Sequence, residues 1–132
     1  MNPLTDSVWF AKMKESNKNL IITKYDDDLV NSYILSTGFL GIKSTDKLPL
    51  PLLTAIIISD EFRKQRDLNS VGTTMAGINN ETFKKILVPK LEINEINEFN
   101  KKYQHHIYHI SYLRKKIKKL QNIKTILLSK YF

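Results

Sequence analysis

The chain contains no cysteine. No disulfide, thiolate zinc site or cysteine nucleophile can therefore be built from it. Glycine and proline are scarce, four of each in 132 residues, and neither occurs from Glu92 to Tyr131. Nothing in that stretch interrupts a helix. No apolar run reaches the length of a membrane span. The opening MNPLTDSVWF has neither the cationic start nor the apolar core of a secretory leader. With cysteine absent as well, a cytoplasmic setting is expected. Acid is missing from the last quarter: Lys101 to Phe132 holds nine Lys or Arg and no Asp or Glu. The first hundred residues hold twelve basic and thirteen acidic side chains, so the whole excess of +8 belongs to the tail. A segment of this kind attracts nucleic acid, acidic membrane or an acidic protein surface. Catalytic signatures are missing too. There is no phosphate-binding loop, no dinucleotide-binding glycine fingerprint and no Ser–His–Asp grouping in a recognisable context. The adenine methyltransferase signature is also missing, so no cofactor is expected.

What is present reads as α+β. DSVWFAKM (6–13) alternates as a strand, with Val8 and Phe10 on one face and Trp9 on the other. LIITKY (20–25) is a second strand across the polar turn KESNKN, and YDDDLVN (25–31) reads as a loop or short turn. SYILSTGFLGIKS (32–44) is a third extended stretch, bent at Gly38. Helical spacing runs from about Leu50 to Leu68, with Pro49 and Pro51 at its start. Gly72 can take a positive φ in the loop that follows. Asn79 or Asn80 can cap a short helix through Phe83 and Lys85, and KILVP reads as a strand stopped by Pro89.

From Glu92 onward, large or apolar residues recur in steps of three and four: Ile96, Phe99, Tyr103, Ile110, Leu113, Ile117, Leu120 and Leu127, with His106 and Lys124 at the two weak positions. This is a heptad-like row over more than four heptads. Glu92, Glu95 and Glu98 stand at its start and the cations towards its end, matching the helix dipole. At 1.5 Å per residue the helix is roughly 60 Å long. Such a rod cannot bury its row against itself. Phe99, Tyr103, His106, Ile110, Leu113, Ile117 and Leu120 are therefore read as a pairing seam.

The order of YILSTGFLGIKS, a helix ending SDEFRKQ, GTTMAGINNETFKKILVP and a long helix resembles the specificity subunit of type I restriction–modification enzymes. In that family a recognition domain closes with a Gly-Thr-Thr-Gln-like loop, a short helix and an Ile-Pro-x-Pro strand end, and a spacer helix follows. Gly72, Thr73 and Thr74 match the loop, with Met75 where glutamine is usual; Pro89 lacks the second proline. The resemblance implies a partial target recognition domain over 1–90 and a spacer or dimerisation helix over 91–132. It also implies a half-subunit or fragment of a longer pattern. The chain would read a half-site on double-stranded DNA, while methylation and cleavage belong to partner subunits. Expected partners are a type I methyltransferase subunit and a second specificity fragment or second copy, with no membrane.

The candidate DNA contacts are Arg63, Lys64, Gln65 and Arg66 at the end of the first long helix, and Gly72, Thr73 and Thr74 in the loop. Arg and Lys can grip phosphates and Gln can pair with adenine. The alternatives are a solvated helix face and threonines that cap the next turn. Ser36, Thr37 and Gly38 are read as a bulge, and the carboxylates of YDDD as an exposed acidic turn. His105 and His109 are spaced to share a metal, but no third ligand accompanies them, so no metal is expected. A second functional reading keeps the helix as a protein-interaction module that does not read DNA sequence.

Overall fold

The computed structural model describes residues 2–132. Three antiparallel strands form a sheet in the order β2-β1-β3: β1 Ser7–Ala11, β2 Asn19–Ile22 and β3 Phe39–Lys43. Phe10 lies opposite Asn19 and Ser7 opposite Ile22, so the turn 12–18 and the segment after Ile22 leave the sheet at opposite ends. All five residues of β1 are buried. Val8 and Phe10 enter the main core with Leu50, Leu53, Ile57, Phe62 and Ile78. The Phe10 and Phe62 rings meet edge to face at 5.0 Å. Trp9 faces the other way and pairs with Gly41 in the neighbouring strand. A Cβ at Gly41 would stand 2.4 Å from the indole, so only glycine leaves room for the ring.

Five helices complete the fold: α1 Asp27–Ser32, α2 Leu50–Ile58, α3 Asp60–Leu68, α4 Asn80–Phe83 and α5 Ile93–Tyr131. Several expectations are corrected. The YDDDLVN loop is the start of α1. Only Phe39–Lys43 of the third extended stretch is strand. The helix expected over 50–68 is two helices, because Ser59 is extended at ψ 150° and caps α3 by accepting from the Phe62 amide. A serine followed by Asp60 and Glu61 favours a fresh N-terminus over continuation. KILVP is not a strand: after α4 the chain runs without regular structure to Glu92. There the Gln65 side chain takes the place of a strand partner. Its carbonyl accepts from Leu87 N at 2.6 Å and its amide donates to Leu87 O at 2.8 Å.

The long helix forms as its periodicity predicts, opened by a capping box between Glu92 and Glu95. Its first half does not stand free of the head. Ile96 and Ser111 are buried, Asn100, Tyr103, Ile107 and Arg114 are half-buried, and Ile107 packs against the main core. α2 is the helix it packs on. At 100° per residue, this docked face lies roughly a quarter-turn round the helix from the heptad row. The two faces share Ile96 and Tyr103 and diverge towards the C-terminal half. The row is half-buried at Phe99, Tyr103 and Ile110, and open at Leu113, Ile117 and Leu120.

Candidate nucleic-acid interface and pairing helix

The glycine–threonine segment is a closed loop. Val71 N donates to Gly77 O at 2.9 Å and Gly77 N to Val71 O at 3.1 Å, tying the two ends together. Gly72 has φ +108°, a conformation glycine takes without strain. Thr73, Thr74 and Met75 form the exposed tip, Met75 at 75% exposure. The threonines do not cap α4. Asn79 does, accepting from the Glu81 and Thr82 amides, with Thr82 Oγ1 closing the capping box.

A second loop, missed by the sequence reading, lies against this one. Lys14 N donates to Ala76 O at 2.8 Å and Ile78 N to Lys12 O at 2.9 Å. Met13 and Gly77 form a bridge between them. The contact is tight: a Cβ on Gly77 would stand 2.9 Å from Lys12 O. The turn 12–18 thereby lies against residues 76–78; Lys12 and Lys18 line one cleft with Met75, and Glu15 is the one acid within the turn. In sequence these lysines belong to an ordinary polar turn. The signal for their role is a backbone pairing between residues more than sixty positions apart, which no local pattern carries.

The candidates on α3 divide. Lys64 is exposed on the face away from the core, and Arg63 is partly exposed in a loose ion pair with Asp60 at 3.7 Å. Arg66 is buried at 3% exposure. It donates to Asp67 at 3.0 Å and to the Ser16 carbonyl, while Asp67 accepts from the Glu15 amide. Arg66 and Asp67 therefore buttress the lysine turn from behind, and Gln65 is occupied by Leu87. Gln65 and Arg66 do not present free polar groups for a base or phosphate, so both are withdrawn as direct DNA contacts. Arg63, Lys64, Gly72, Thr73 and Thr74 remain on the surface.

At the opposite end of the sheet a polar latch locks α5 to the head. Asp26, at 1% exposure, accepts from Thr23 N at 2.8 Å, from Ser111 Oγ at 2.8 Å and from Arg114 Nη1 at 3.2 Å. Thr23 Oγ1 and Ser111 Oγ are 2.6 Å apart, and Arg114 also donates to Ile21 O at 2.6 Å. Lys115 adds a bond to Tyr25 O at 2.7 Å. Of the three carboxylates in the turn, Asp27 and Asp28 are exposed and Asp26 is the buried hub.

Beyond Lys115 every residue of the helix to Phe132 is exposed, and Ile117, Lys118 and Gln121 face Leu20, Leu29 and Tyr33 across an open cleft before the end of the helix overhangs. From Lys115 to Tyr131 this stretch is about 26 Å long at 1.5 Å per residue. It carries Ile117, Leu120, Ile123 and Leu127, each 50–56% exposed, beside Lys115, Lys116, Lys118, Lys119 and Lys124. His106 is exposed next to the Tyr103 and His105 rings. His105 and His109 are exposed as well, and among the described residues no group of three His, Cys, Asp or Glu is placed to hold a metal. No helix among them is long and apolar enough to cross a membrane. Comparison with protein-family models, with curated proteins and with solved structures finds no match.

Proposed function

We propose that the chain is a non-catalytic DNA sequence-specificity component of a type I restriction–modification system. Its head reads a half-site, and α5 pairs with a second copy or a second specificity fragment while docking the methyltransferase subunit. The supporting observation is how the helix joins the head. One body holds a cation-flanked, closed loop pair at one end of its sheet and, from the other end, a latched helix with an unfilled apolar row. Lysines around an exposed hydroxyl-bearing loop suit phosphate contact with base edges within reach. A row of half-exposed aliphatic residues suits another helix. Two copies joined by a two-fold axis would carry two heads at a fixed separation, and so select a two-part palindromic site.

The test is selection from random duplexes with the full chain, alone and with the methyltransferase subunit, followed by binding over a range of salt. The reading expects an enriched two-part sequence and affinity that falls steeply with salt. The second reading, an interaction module that reads no sequence, is favoured by the burial of Arg66 and the engagement of Gln65 by Leu87. It expects no enriched sequence, together with intact partner capture.

A further inference from the structure

Met75 is an unexpected residue at the tip of a polar loop. Its side chain is three-quarters exposed although the loop beneath it is pinned at both ends by the Val71–Gly77 pair. Gly72 at φ +108° and the tight Gly77–Lys12 contact hold that loop in one shape. Met75 forms the edge of a cleft of about 420 Å³ whose wall includes Met13, Phe39, Val71 and Ile78. The cleft is apolar inside, with Lys12 and Lys18 also lining it and Thr73 and Thr74 at the neighbouring tip.

An apolar, polarizable side chain standing between hydroxyls and ammonium groups matches one feature of duplex DNA. The thymine C5-methyl is the apolar group on the major-groove edge, surrounded by hydrogen-bonding atoms and flanked by phosphates. Lysines can meet phosphates, threonines polar edges, and a thioether a methyl. We propose that Met75 is a specificity-determining residue that reads a thymine methyl in the major groove. The inference rests on the DNA-reading function proposed above and adds the base feature that the loop recognises. The occupant is double-stranded DNA rather than protein because Lys12 and Lys18 line the cleft and no acidic side chain does.

The experiment takes the sequence enriched by the full chain and replaces each thymine in turn with deoxyuridine, which lacks only the methyl. A single exchange is expected to weaken binding about fourfold, the worth of one buried methyl. Met75→Ala should bind the thymine duplex more weakly and be indifferent to the same exchange. Met75→Leu should keep part of the discrimination. An enriched sequence that tolerates uracil at every position overturns the methionine contact while leaving DNA reading in place. So does a Met75→Ala protein that remains as sensitive to uracil as the parent. If no sequence is enriched, the specificity reading fails and this inference fails with it. Because Met75 is exposed, thermal melting of each variant should match the parent, which separates a lost contact from a lost fold.

Discussion

Ser111 on the long helix donates its hydroxyl hydrogen to the buried Asp26 carboxylate at 2.8 Å, across 85 positions of sequence. The same carboxylate oxygen takes Thr23 N and Arg114 Nη1, so one acid ties the turn after β2 to α5, which is also seated on α2. Removal of Asp26 takes the acceptor from a guanidinium, a hydroxyl and the Thr23 backbone N–H in a mostly dry site. Asp26→Ala should cost about 3 kcal/mol, and Ser111→Ala about 1–2 kcal/mol, since Arg114 still pairs in the latter. Urea unfolding at one fixed protein concentration measures both. Equal midpoints for Asp26→Ala and the parent would remove the latch from the account.

The charged residues on α3 should separate by readout. Gln65→Ala is expected to lose about 1–2 kcal/mol, because the Leu87 N–H and C=O lose their partners. Arg66→Ala should lose more, because Arg66 is buried and braces the 12–18 turn. Arg63→Ala and Lys64→Ala should leave the unfolding midpoint within about 0.5 kcal/mol, as surface substitutions do. Only the last two should weaken DNA binding at matched stability. A stable Gln65→Ala protein that fails to bind DNA would return that residue to the interface.

The lysine turn carries a different signature. Lys14→Ala and Lys18→Ala should each weaken binding to all sequences alike and lower the salt slope by about one. Filter binding or fluorescence anisotropy at four or five salt concentrations gives the slope directly. A slope unchanged in the double variant would place the phosphates elsewhere.

The heptad row is tested away from the head. Ile117→Asp and Leu120→Asp lie beyond Lys115, where neither contributes to the core. Each should weaken self-association by roughly two orders of magnitude, because each removes two buried aliphatic side chains per dimer. Sedimentation velocity reads the mass while the melting of the head stays unchanged. A mass insensitive to both substitutions would show that the row is not a seam between copies.

Much of this architecture is visible in the primary structure because its causes are local. The long helix follows from forty residues without a breaker and a three–four spacing. β1 follows from alternation around Val8 and Phe10. The break at Ser59 was also legible, since a serine before two acids is a start signal, but the apolar continuity from Leu53 to Phe62 hid it. KILVP misled for the opposite reason. A β-branched run needs a partner, and a glutamine side chain twenty-two residues away supplies one here. The latch and the pairing of turn 12–18 with loop 71–77 are long-range. Asp26 reads as one more exposed acid and Ser111 as a polar interruption in a greasy helix until the two are brought together. The buried face of α5 escaped for a geometric reason: Asn100, Ser111 and Arg114 are polar, so the face that meets the head is less apolar than the one that does not.

The overhang makes the latch a pivot for a long lever. A tilt of about five degrees at Arg114 would swing the far end of a 26 Å arm by about 2 Å, more than half of a base-pair step of about 3.4 Å. In a two-headed assembly, angular play at each pivot would blur the distance between the half-sites. Under the proposed function, loosening the three hydrogen bonds to the Asp26 carboxylate oxygen would show first as relaxed spacing between half-sites rather than as altered bases within them.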